Sequence, residues 1–302
     1  MPGLLVEQLI SDSQIRREFG LEMLGPLITA EDLLKCLEDS VKLTVLDCRW
    51  YLDGRVGEDA YKNGHIPGSI FCDITEVCSQ PSESSRGRHP LATPEHFLAE
   101  MAKLGVAASS RVVVYDDQAG SIAGRVWWML DRLGISVQVL DGGLQQWTGR
   151  LETGQNSCEA VTPALPKFTN WYEHGAIDTL GIAEMIEKGS ALILDARGVQ
   201  RYLGEVEPID RVAGHIPTAR SLPWTDLIAN GKFKSPEQIR AVFASRISGS
   251  TDAIIASCGS GISACTLLIG MRVAGIQDGQ LYEGSYSGWS ADPDRKVCIG
   301  PC

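Results

Sequence analysis

The stretch DAIIASCGSGISACTLLIGMRVAG, residues 252–275, decides how the rest of the chain is read. Ala253 to Ala256 form a short apolar, β-branched run of the kind that makes a buried strand. A loop of small residues follows, and from about Ser263 the apolar residues recur at helical spacing. Strand, tight loop and helix make up half of an α/β unit, and in such folds function gathers at the carboxyl ends of strands. Cys258 stands at that end. An earlier stretch, RVVVYDDQAGSIAGRVWWMLDRLG at 111–134, has the same plan. One offset of 142 carries Asp116, Gly142 and Trp147 onto Cys258, Gly284 and Trp289, which predicts strand, loop and helix repeated without a gap.

A second pair of landmarks extends the repeat. LTVLDCRW (43–50) precedes GHIPGSI (64–70), and ALILDARG (191–198) precedes GHIPTAR (214–220). Each apolar run ends in Asp, and each Gly-His-Ile-Pro is a turn that its proline bars from being helical. Helical patterns such as PEHFLAEMAKLG (94–105) and SPEQIRAVFASRI (235–247) alternate with the apolar runs. That alternation predicts a mostly parallel sheet with helices on both faces. The chain is thus expected to be a duplicated α/β protein: an extension at 1–24, a first domain at 25–150, a linker at 151–175, a second domain at 176–297 and a tail at 298–302.

Composition narrows the function classes. The 302 residues carry a net charge of −11, which argues against a nucleic-acid or anionic-membrane surface. No apolar run reaches the roughly 18 residues of a membrane span. The opening MPGLLVEQLISDSQIRREFG is acidic in places and lacks the build of a secretory signal. Nine cysteines without framework spacing suit reduced thiols, and a cytoplasmic location is expected.

The loop at Cys258 can be read chemically. Amides from Gly259 to Ala264, brought together by small residues, form an anion-binding nest at a helix N-terminus. Such a nest favours a thiolate or a persulfide anion. A cysteine phosphatase needs an arginine six positions after its cysteine, where this chain has Ala264. Cys258 has no Cys-x-x-Cys partner, and the loop lacks a dinucleotide fingerprint. Neither a cofactor nor a metal is expected, and His89 and His96 show no zinc spacing. Asp116 replaces the thiol in the first copy, so chemistry belongs to the second.

With paired domains, GHIPG-type elements and CGSGIS, the chain resembles the tandem-domain rhodanese family, the thiosulfate/3-mercaptopyruvate sulfurtransferases, over roughly residues 25 to 296. The resemblance implies a rhodanese fold, a non-catalytic first domain and sulfur transfer through a cysteine persulfide. It also implies 3-mercaptopyruvate as donor, because CGSG(V/I)(S/T) loops go with that substrate. Thiosulfate:cyanide transfer and an idle sulfur-carrier or binding module are the alternatives. On this resemblance Cys258 is the nucleophile, Ser260 offers a hydroxyl and His65 of GHIPG joins it. Asp53 and Asp59 precede His65, and neither is singled out as completing a relay. Gly259, Gly261, Ile262 and Ser263 supply amides to the substrate. Arg201 of QRYLG matches the family's carboxylate clamp. The second family arginine, in EPRxG, is missing from EVEPIDRVAG, and Arg211 is the nearby candidate. A thiol acceptor such as thioredoxin completes the expected cycle. Arg197 and His215 are read as serving the fold, Trp127, Trp128 and Trp147 as packing, and Cys298 and Cys302 as incidental thiols of the tail.

Overall fold

The computed structural model describes residues 25–80, 86–247, 253–276 and 279–301. The extension expected at 1–24 and Cys302 lie outside the described residues.

The first half runs β1 (Leu27–Ile28), α1 (Ala30–Glu38), β2 (Thr44–Asp47), α2 (Gly57–Asn63), β3 (Ile70–Phe71), α3 (Ile74–Val77), α4 (Pro94–Lys103), β4 (Arg111–Tyr115), α5 (Ala123–Arg132) and β5 (Ser136–Leu140). The second runs β6 (Ala176–Ile177), α6 (Thr179–Lys188), β7 (Ala191–Asp195), α7 (Val199–Leu203), β8 (Arg220–Ser221), a small hairpin of β9 (Ile228–Ala229) and β10 (Lys232–Phe233), α8 (Pro236–Ile247), β11 (Ala253–Ser257), α9 (Ala264–Ala274), β12 (Gln280–Tyr282) and α10 (Ser285–Ala291). Each half holds one five-stranded sheet, in the orders β1-β5-β4-β2-β3 and β6-β12-β11-β7-β8. All pairings within these two sheets are parallel. The predicted α/β fold of two parallel-sheet domains is what the chain adopts.

Local sequence explains the element starts. Thr93 caps α4 by accepting from the His96 amide, and Pro94 fills a first-turn position that needs no N–H donor. Each of the two central strands, β4 and β11, lies between two neighbours and is covered by helices, so its run is apolar without alternation.

The repeat is not gapless. Strand β4 maps onto β11 at an offset of 142, but α5 and α9 start at Ala123 and Ala264, an offset of 141. The left-handed Gly120 and Gly134 likewise correspond to Gly261 and Gly275 at 141, and Gly143 and Ser285 restore 142. The loop behind Cys258 is therefore one residue shorter than the loop behind Asp116. A shorter side chain at the strand end goes with a shorter loop over it.

The halves meet through α5 and α9. Gly124 lets them close, since a Cβ there would lie 3.1 Å from Ile269 and 3.4 Å from Cys265. Arg272 pairs with Asp131 at 3.1 Å across the same seam. The segment after β5 runs along the first half, where Trp171 packs on Trp128 and Phe97 and donates to the Ala92 carbonyl at 2.7 Å.

Candidate active site

Cys258 follows β11 directly and is only 2% exposed, yet it lines a cavity of about 220 Å³ between the two halves. The first half contributes Trp50, Arg88, Gln118 and Ile122 to that cavity; the second contributes Arg197, Arg201, Trp224 and, from the loop, residues 258–260, 262 and 263. The Gly261 amide donates to Cys258 Sγ at 3.1 Å. Gly261 has φ +79°, and a Cβ on it would lie 2.6 Å from the Glu283 carbonyl, so only glycine fits. Helix α10 holds the loop from behind: the Tyr286 and Ser287 amides donate to the carbonyls of Cys258 and Gly259. Ser285 Oγ accepts from the Cys258 amide at 3.0 Å.

The first half shows what this backbone arrangement binds. Fully buried Asp116 accepts from the amides of Gln118, Gly120, Ile122 and Ala123, each at 2.8 Å. Burial pushes its carboxyl up, and the four amide bonds oppose that shift by favouring the carboxylate. Gly120 and Gly261 are equivalent donors, one to a carboxylate oxygen and the other to sulfur. At the same offset Ile122 and Ala123 correspond to Ser263 and Ala264, whose amides have no acceptor among the described residues.

Ser260 Oγ lies 2.8 Å from Nδ1 of His89. Burial, reinforced by Arg125 and Arg88, lowers the His89 pKa to about 4, so the ring is neutral at pH 7. Trp50 stands edge-on to the ring, with centroids 5.3 Å apart. No carboxylate hydrogen-bonds His89 among the described residues; Asp53 is exposed and pairs with Arg55.

Three guanidinium groups line the cavity, each tied to acid. Arg201 meets Glu207 at 2.8 Å and Asp210 at 2.9 Å. Arg88 reaches across from the first half to the same Asp210. Arg197 forks onto Asp195, reaches the Gly214 carbonyl and stacks on Tyr286. The Glu207 and Asp210 side chains are each 3% exposed. Burial pushes the Asp210 carboxyl up against the pull of Arg88; burial acts on Glu207 too, but Arg201 and backbone amides prevail and lower it. Arg88 Nη2 would lie 3.0 Å and Arg201 Nη1 3.6 Å from a Cβ on Gly259. Both guanidinium groups therefore border the residue next to the thiol.

A rhodanese-like domain family model matches residues 29–150 and again 181–292. The chain belongs to the rhodanese family. As a tandem rhodanese it is 38% identical over 281 residues to the probable 3-mercaptopyruvate sulfurtransferase of Pseudomonas aeruginosa, covering 91% of this chain and 98% of that one. It is 37% identical over 282 residues to SseB of Mycobacterium tuberculosis, provisionally named a thiosulfate sulfurtransferase, covering 91% and 97%. The 3-mercaptopyruvate sulfurtransferase from Leishmania major superposes with a TM-score of 0.76 at 29% identity, covering 88% of this chain and 74% of that one. The protein is a sulfurtransferase.

Against this rhodanese frame, the structure brings Cys258, Ser260, Arg201 and the loop residues together, and it corrects two expectations. His65 does not reach Ser260: it is wholly buried, bonds the Tyr61 carbonyl at 2.8 Å and stacks on Tyr61. His215 does the same with Tyr202 in the second half, so both histidines of the repeated turn serve the fold. Arg211 does not line the cavity; it is exposed and donates to the Ser290 carbonyl at 2.9 Å. The residues that stand in those places, His89 beside Ser260 and Arg88 beside Arg201 on Asp210, lie in the loop before α4. They are 171 and 122 positions from their partners Ser260 and Asp210, and no sequence spacing links them.

Proposed function

We propose that this sulfurtransferase takes sulfur from 3-mercaptopyruvate, holds it as a persulfide on Cys258 and passes it to a thiol acceptor. The observation carrying this reading is the Asp116 cradle. From Cα outward an aspartate oxygen and the outer sulfur of a cysteine persulfide are both the third atom. The second-half loop keeps the donor of Gly120 as Gly261 and leaves the Ser263 and Ala264 amides without an acceptor among the described residues. Those two amides suit an outer, anionic sulfur.

The first half-reaction then balances without an added proton. The Cys258 thiolate attacks the donor sulfur, an S–S bond forms and the donor C–S bond breaks, with its electron pair becoming a pyruvate enolate. Ser260 passes a proton to the enolate carbon and takes the proton of the donor sulfhydryl, leaving pyruvate and an anionic persulfide. Neutral His89 holds the hydroxyl in place through Nδ1. An acceptor thiol then takes the outer sulfur and the Cys258 thiolate returns.

The cations favour a keto acid. Arg88, Arg197 and Arg201 face Asp195, Glu207 and Asp210, so the cavity offers directed N–H donors with little net positive charge. Planar forks suit a carboxylate and a neighbouring ketone, and the low net charge rewards the thiosulfate dianion less. The similarity to SseB keeps thiosulfate as the second reading. The described cysteines are all free, which supports a reducing compartment, the cytoplasm.

Steady-state rates with both donors test the assignment: 3-mercaptopyruvate is expected to turn over at least about tenfold faster in kcat/KM, and faster thiosulfate turnover overturns it. Intact mass after donor treatment should show one added sulfur on the native chain and none on Cys258→Ser. An unchanged native mass would point to an idle module.

A further inference from the structure

The half without the thiol reaches into the sulfur site from behind. Arg125 on α5 is 1% exposed, and no ion pair joins it to a carboxylate among the described residues. Its Nη1 donates to the Gly261 carbonyl at 3.0 Å and its Nη2 to the His89 carbonyl at 2.9 Å, while Nε has no acceptor among the described residues. Glu283, whose own carbonyl lies against Gly261, gives its carboxylate to Arg86, Tyr172 and the Leu91 amide instead. The titratable groups facing Arg125 are Cys78, Cys265 and His89. Burial pushes both thiols up, Cys265 to about 12, against the pull of Arg125. Burial and then Arg125 keep His89 neutral. None of these three is an anion at pH 7.

A buried guanidinium without a counter-charge is costly to a fold. The same Gly261 whose carbonyl Arg125 binds gives its amide to Cys258 Sγ. The same His89 whose carbonyl Arg125 binds holds Ser260 through its ring. We propose that Arg125 is a positioning residue of the sulfur-transfer reaction: it ties the thiol loop to the His89–Ser260 pair and supplies the buried positive charge that an anionic sulfur on Cys258 balances. This rests on the persulfide reading given above, and it makes the first domain a working part of the catalytic site.

The test uses the full chain with Arg125→Met, which removes the charge, and Arg125→Lys, which keeps it but cannot fork between two carbonyls. Steady-state kinetics are measured beside the rate of iodoacetamide labelling of the Cys258 peptide at pH 7. For Arg125→Met, kcat is expected to fall about 100-fold, as on loss of a preorganised polar group. KM for the donor should stay within about twofold, and labelling should slow about tenfold. Arg125→Lys should restore labelling while kcat stays about tenfold down. A folded Arg125→Met with native kcat and labelling overturns the proposal, as does a change confined to KM. Should Arg125→Met not fold, Arg125→Lys decides, and native kcat there overturns it. A native protein that gains no sulfur mass would instead sink the persulfide reading, and the labelling result would still judge Arg125.

Discussion

Cys258, Ser260 and His89 are each placed by different surroundings. The sulfur rests on one amide, the hydroxyl is placed by a ring nitrogen, and the ring is kept neutral by burial and two arginines. His89 titrates near 6.5 in the unfolded chain and at about 4 in the fold. Its folded pKa is depressed, so between pH 6.5 and pH 4 the unfolded state binds more protons and stability is lost as pH falls. Replacing His89 with Asn should remove roughly 2 kcal/mol of the stability loss between pH 7 and pH 5, read from urea midpoints at the two values. The same variant should lower kcat about 10- to 100-fold with little change in KM. An unchanged kcat would take His89 out of the proton path.

At the scale of elements, the active loop depends on two glycines that fail differently when changed. A Cβ at Gly259 meets only the ends of Arg88 and Arg201, which can swing aside. Gly259→Ala should therefore raise the donor KM several-fold, by about 1 kcal/mol, and leave the fold intact. A Cβ at Gly261 meets the Glu283 carbonyl at 2.6 Å, and the left-handed backbone adds strain. Gly261→Ala should destabilise the protein by about 1–3 kcal/mol and end persulfide formation, as thermal unfolding and intact mass would show. A kinetically normal Gly261→Ala would mean the Gly261 amide does not hold the sulfur.

At the scale of the whole molecule, the cavity exists only because the halves are packed. Arg88 and Arg201 come from different halves and share Asp210. Each, changed to Ala, should raise the KM for a keto-acid donor about tenfold or more with kcat nearly kept, whereas Arg211→Ala should leave both constants at native values. A normal KM for Arg88→Ala would return the clamp to the second half alone. Glu283 secures this geometry, gripping Arg86 and Leu91 just ahead of and behind His89.

Local order determined the doubled parallel-sheet fold, the thiol at the end of β11 and the glycine loop over it, because strand runs, helix periods and turn residues are written in neighbouring positions. The repeated Gly-His-Ile-Pro turn was equally visible, but the role of its histidine was not. A buried ring bonded to a carbonyl four residues back and a ring facing a serine look alike in one dimension. Only the tertiary structure decided that His89 and Arg88 complete the site, that Arg125 backs it and that one loop is a residue shorter. Those contacts span more than 30 positions, and all but the Arg125–His89 bond cross between halves, where packing of α5 on α9 sets the distances and no sequence period records them.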